Sequence, residues 1–110
     1  VTVKVINSTI AGPLTLNAAY AYTTIRPTGG VTIASPSGIG VDGPSVFGET
    51  WTLENAGTIA ASGNDGAGVY LYNGTVINSG LITAGLYGVE IKEGGVVTNV
   101  AGGTILSRND

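Results

Sequence analysis

Cysteine, histidine and methionine are all missing from this 110-residue chain, and only 10% of its residues carry charge. Without cysteine there is no disulfide framework, thiol nucleophile or thiolate metal site. Without histidine, the Ser-His and Cys-His nucleophile pairs and imidazole-ligated zinc are excluded too, so no metal and no cofactor is expected. Four basic residues, Lys4, Arg26, Lys92 and Arg108, are scattered against seven acidic ones, for a net charge of −3. Nucleic-acid binding needs a basic stripe that displaces counterions from phosphates, and none can be drawn. No apolar run approaches the roughly 20 residues of a membrane-spanning helix. Nor does a charged segment followed by an apolar core mark a signal peptide. The opening residue is Val1, which reads as a processed mature product or an excised segment.

Scarce charge does not here mean disorder, which needs low hydrophobicity and high net charge; 43% of the residues are hydrophobic. The length suits one domain, or a piece of one, since a domain typically has about 100–200 residues. What the chain has in quantity is glycine, 19 residues of it, together with a repeat. The segments TLENAGTI (52–59), TVINSGLI (75–82) and VVTNVAGGTI (96–105) bring asparagine back at Asn55, Asn78 and Asn99, at intervals of 23 and 21 residues. Between them run Gly40-Val41-Asp42, Gly68-Val69-Tyr70 and Gly88-Val89-Glu90. A period of roughly 20 residues is the mark of stacked coils.

Strands, not helices, build these coils. Val69-Tyr70-Leu71-Tyr72, Val89-Glu90-Ile91-Lys92 and Thr52-Leu53-Glu54-Asn55 alternate with period two,. Glycine or asparagine interrupts every such run, leaving no room for a helix of three turns. In antiparallel hairpins neighbouring strands need not resemble each other. In a solenoid each coil lies about 4.8 Å above the last, and like positions stack on like. The recurrence therefore favours an all-β parallel solenoid with coils of about 20–23 residues. Its inward columns are Val41/Val69/Val89, Leu53/Val76/Val97 and Ile59/Ile82/Ile105. Asn55, Asn78 and Asn99 fall on the same inward phase as a structural ladder, because stacked amides can donate and accept along the column.

The segments TLENAGTI, GAGVYLYNGTVINSGLITAG and YGVEIKEGGVVTNVAGGTI resemble the passenger repeats of bacterial autotransporter and related surface adhesin proteins. Residues 10–41 are similar to the less regular first coils of such passengers. The resemblance implies a right-handed parallel β-helix, an extracellular or outer-surface location on a bacterium, and a structural or adhesive role. It carries over no catalytic residue.

Residues 1–50 lack the shared asparagine and hold Tyr20, Tyr22, Phe47 and all four prolines; with Trp51 at their border, they read as irregular first or capping coils, since end coils of repeat proteins are atypical. Residues 51–110 read as the regular coils of the same domain. A regular coil runs up to the last residues, so its edge is expected to meet further coils of a longer parent chain or the first coil of a second copy. Head-to-tail stacking of copies does not close and would propagate into an extracellular filament.

The outward columns offer little chemistry. Asp42, Tyr70 and Glu90 share one of them, which places the two carboxylates two coils, or roughly 9.6 Å, apart. That is at or beyond the roughly 6.5–9.5 Å of an inverting glycosidase, and Tyr70 would obstruct the water; the chain reads as non-enzymatic, with no catalytic residue. Tyr72 stacks on Lys92, so Tyr70, Tyr72, Glu90 and Lys92 form an exposed patch. Aromatic faces beside polar groups suit surface glycans, and glycan binding is the alternative function. Thr52, Thr75 and Val96 make too broken a rank for ice binding. Asn73-Gly74-Thr75 and Asn7-Ser8-Thr9 match the N-glycosylation pattern, but Asn73-Gly74 reads better as a corner.

Overall fold

The computed structural model describes residues 3–108, which hold strands and turns and no helix. The first coil comprises β1 (Val3–Ile6), β2 (Thr9–Ala11) and β3 (Leu14–Thr15). The second has β4 (Tyr22–Ile25), β5 (Gly30–Ile33) and β6 (Ile39–Gly43), and the third β7 (Trp51–Asn55), β8 (Thr58–Ala61) and β9 (Ala67–Leu71). A fourth follows with β10 (Gly74–Asn78), β11 (Leu81–Ala84) and β12 (Tyr87–Ile91); β13 (Gly95–Asn99) and β14 (Thr104–Ser107) belong to a fifth.

Each strand pairs in parallel with its counterpart one coil away. Three sheets result: A (β1-β4-β7-β10-β13), B (β2-β5-β8-β11-β14) and C (β3-β6-β9-β12). The chain is a parallel β-solenoid of about five turns. In sheet A, Val3 stands opposite Tyr22, Tyr22 opposite Thr52, Thr52 opposite Thr75 and Thr75 opposite Val96, so successive coils take 19, 30, 23 and 21 residues. The last two are the intervals of the asparagine repeat. The second coil is longer because its corners at 26–29 and 44–50 exceed their counterparts 56–57 and 72–73 in the third coil, whereas 34–38 matches 62–66 in length.

The interior is a set of columns. Val41, Val69 and Val89 are register partners, as are Leu53, Val76 and Val97, and Ile59, Ile82 and Ile105. The first two coils extend the same columns with Leu14, Thr23, Ile10 and Val31. Val31, Val41, Leu53, Ile59, Val69, Val76 and Ile82 are completely buried. At about 1.5–3 kcal/mol for each fully buried aliphatic, these stacks are the main driving force for folding. Trp51 is also completely buried, and its indole N–H donates to the Pro44 carbonyl at 2.9 Å.

The recurring Gly-Val pair has a packing cause. A Cβ on Gly40 would lie 2.9 Å from Ile59 Cγ2, one on Gly68 2.7 Å from Ile82 Cγ2, and one on Gly88 2.6 Å from Ile105 Cγ2. The isoleucines of sheet B fill the space that a side chain on sheet C would need.

The two ends differ. On β1, Ile6 points inward, so Lys4 does too, and Val3 and Val5 are turned outward and exposed. Lys4 Nζ lies 5.0 Å from the centroid of the Tyr20 ring. An inward charge on an edge strand is a recognised way of blunting that edge. At the other end every residue of β13 is exposed, and Val97 is 44% exposed although it continues the buried column of Leu53 and Val76.

Candidate functional site

Asn55, Asn78 and Asn99 are register partners in sheet A, and the first two are completely buried. Asn55 Nδ2 donates to Asn78 Oδ1 at 2.8 Å, and Asn78 Nδ2 donates to Asn99 Oδ1 at 2.9 Å. Each amide nitrogen also faces backbone carbonyls across the next corner: Gly57 and Leu81 from Asn55, Gly80 and Thr104 from Asn78. The Gly57 N–H donates to Asn55 Oδ1 at 3.2 Å. The ladder thus satisfies the tight two-residue corners 56–57 and 79–80, whose backbone cannot close on itself. In the second coil the corner 26–29 is long enough for the Gly29 N–H to reach the Arg26 carbonyl at 2.7 Å. There the column is filled by Ile25 instead.

On the outer face of sheet C, Asp42, Tyr70 and Glu90 do occupy one column, with Tyr70 in the middle. Burial pushes the Asp42 carboxyl above its ordinary value. Tyr72 and Lys92 follow at the corners of adjacent coils, where the Lys92 N–H bonds the Leu71 carbonyl and the Glu93 N–H the Tyr72 carbonyl. Tyr70 and Tyr72 are half-buried, and Glu90 and Lys92 exposed. The four predicted residues therefore share one surface of the described chain, and their side chains make no hydrogen bond to one another. Asn73 lies at a corner and Gly74 opens β10.

Sheet A carries polar groups that the repeat did not reveal. Thr24 Oγ1 donates to Glu54 Oε1 at 3.3 Å. The Tyr22 hydroxyl is held neutral to higher pH by burial first, then by the negative charge of Glu54 and a hydrogen bond to it. Thr24 and Glu54 edge a groove of about 620 Å³ over the A-to-B corners, reaching Arg26, Ile77 and Val100. A second hollow, of about 430 Å³, lies under the loop 44–50, with Phe47 at its rim and Tyr72 in its wall. Neither could be read from spacing, because corners of unequal length create both.

Among the described residues no group of three or more acidic side chains converges on a metal-sized site. Among the same residues no helix is long and apolar enough to cross a membrane. The chain matches no family model, no curated protein and no solved structure. The likeness to autotransporter passenger repeats therefore rests on the motifs alone, and what the structure adds is the solenoid.

Proposed function

We propose that this chain is a non-enzymatic structural module: a stretch of solenoid rod from a secreted or surface-displayed bacterial protein of adhesin type. Parallel backbone pairing along the axis and an aliphatic interior give stiffness, and the rod holds other surfaces away from the cell. The observation that carries this reading is the unbroken register of three sheets ending on an exposed coil. Val97 and Ile105 continue columns that are buried one coil earlier, and β13 has no partner on its outer edge among the described residues. One more coil would continue these columns with an apolar residue over Val97 and an amide over Asn99.

A second copy fits that face less well than a continued repeat. Stacked head to tail, its Lys4 would fall over Val97 and its Ile6 over Asn99. An ammonium covered with only the Tyr20 ring beside it still costs several kcal/mol to desolvate, so Lys4 opposes the self-assembled filament. Extending the rod from within tests the module. Because Gly74 is the register partner of Gly95, duplicating residues 74–94 inserts one whole coil. Nearest-neighbour stacking predicts a longer rod with a higher unfolding midpoint; a variant that melts lower or misfolds would defeat the proposal. Sedimentation of the wild type and of Lys4→Val decides between the two occupants. The wild type should stay monomeric while Lys4→Val associates end to end, and filaments of the wild type would restore self-stacking.

A further inference from the structure

The corners joining sheet C to sheet A shorten abruptly midway along the rod. The corner from β6 to β7 spans residues 44–50, whereas the next one, from β9 to β10, is only residues 72–73. The long loop overhangs that step, and beneath it lies the 430 Å³ cleft lined by Ser45, Phe47, Glu49, Thr50, Tyr72 and Asn73. The volume falls in the roughly 300–1,000 Å³ range of small-ligand sites.

Two hydrogen bonds brace the overhang. Its base is tied by the hydrogen bond from the buried Trp51 indole to Pro44. Its tip is a four-residue turn closed by the Glu49 N–H on the Val46 carbonyl at 3.0 Å. Gly48 has φ 81°, the positive value that the third residue of a type II turn requires,. This turn holds the Phe47 side chain wholly in solvent, at 104% relative exposure. The turn pre-orders the backbone beneath the ring, so a ligand that covers Phe47 has only the ring's own rotation to arrest.

The geometry points to a carbohydrate subsite in this cleft, for a neutral or N-acetylated oligosaccharide. Phe47 and Tyr72 offer ring faces to the C–H face of a sugar. Ser45, Thr50, Glu49 and Asn73 offer donors and acceptors to its hydroxyls. The Asn73 Oδ1 has no hydrogen-bond partner; rotation of its amide would present that oxygen to a ligand hydroxyl. Glu49 is the single charged residue of the lining, and its carboxylate repels acidic sugars. A peptide would ask for a longer, more apolar groove than this short polar hollow. Of the surface patch foreseen from the repeat, only Tyr72 belongs to the cleft; Tyr70, Glu90 and Lys92 lie outside its lining.

The test is retention of the whole chain on immobilised β-glucan, mannan and chitin fragments, with polygalacturonate as the acidic comparator and a random peptide array beside them. The wild type should be retained on at least one neutral or N-acetylated fragment. Phe47→Ala should weaken that retention at least tenfold, with no change in the urea midpoint, and Phe47→Tyr should keep it. Retention on none of the neutral fragments, retention on polygalacturonate alone, or equal retention of Phe47→Ala overturns the assignment. So does a silent sugar panel with Phe47-dependent capture on the peptide array, which would make the overhang a protein-docking element.

Discussion

Exchanging one nitrogen for oxygen in the ladder, Asn78→Asp, asks what holds the coils in register. Asn78 Nδ2 faces three oxygens: Asn99 Oδ1 at 2.9 Å, and the Gly80 and Thr104 carbonyls at 3.1 Å each. In the aspartate variant an oxygen bearing negative charge would point at all three. Asn78→Ala, which only deletes the amide, leaves the Asn55 nitrogen short of its best acceptor and costs about 1–3 kcal/mol. Asp adds the burial of a charge without a partner. Buried carboxyls rise by up to 3–5 units, and at about 1.4 kcal/mol per unit a rise of three units costs about 4 kcal/mol. A folded-state value raised above the unfolded one means that the native state binds the extra proton. The loss is therefore complete at neutral pH and shrinks as the pH falls towards the unfolded value of about 3.9. Trp51 is the single tryptophan and is wholly buried, so its fluorescence reports urea unfolding of the wild type, Ala and Asp proteins at pH 4 and pH 7. If Asp and Ala are equally destabilised at both pH values, the amide nitrogen is not the donor this ladder depends on.

Three further perturbations probe the interior and its rim. Gly68→Ala would put a Cβ 2.7 Å from both the Gly88 carbonyl oxygen and Ile82 Cγ2. Overpacking of that kind costs about 1–3 kcal/mol, and an unchanged urea midpoint would show that sheets B and C are not in contact there. Thr23→Val removes a buried hydroxyl that lacks a hydrogen-bond partner and should stabilise the fold by about 1 kcal/mol; a lower melting temperature by circular dichroism would mean that the hydroxyl is satisfied. Asp42 has its carboxyl value raised by burial, so its contribution to stability declines as the pH rises above the ordinary carboxylate value. In Asp42→Asn that decline should flatten, and identical pH profiles of the unfolding midpoint would show that Asp42 titrates as freely folded as unfolded.

The later coils were legible because stacking demands the same residue type at the same place. Val69 over Val89 and Asn55 over Asn78 are both consequences of one spacing, and the structure puts each pair in register. The first two coils were not, for two physical reasons. Their corners differ in length, so their intervals of 19 and 30 residues hide the period. Their corner chemistry differs too, so Ile6 and Ile25 fill the column where asparagine marks the later coils. Alternation also misleads at Val3-Lys4-Val5: taken alone it suggests buried valines, yet the parity is set by Ile6, and Lys4 turns inward. The Phe47 cleft was invisible because it comes from the mismatch between two corners 20-odd residues apart,, and no residue pattern within either corner announces it.

Aliphatic columns alone would not fix the pairing. Valine over valine is nearly as well packed if a coil slides by two residues, because the side-chain period of a strand is two. The amide ladder removes that freedom. A slide by two residues would take Asn78 off Asn55 and bring the amide opposite the Leu53 column, breaking the amide bonds between coils and leaving the Asn78 oxygen without the Asn55 donor, at about 1–3 kcal/mol for each unsatisfied group. The ladder is also directional: each Nδ2 points to the following coil, while Asn55 Oδ1 at its start takes the Gly57 N–H and Asn99 Nδ2 at its end turns to the Gly103 carbonyl at 3.0 Å. An asparagine placed one coil beyond Asn99 would receive that donor as Asn99 receives the one from Asn78. A coil added at the β13 end would therefore extend the amide ladder. Lys4, at the β1 end, opposes the apolar stacking that growth there would need.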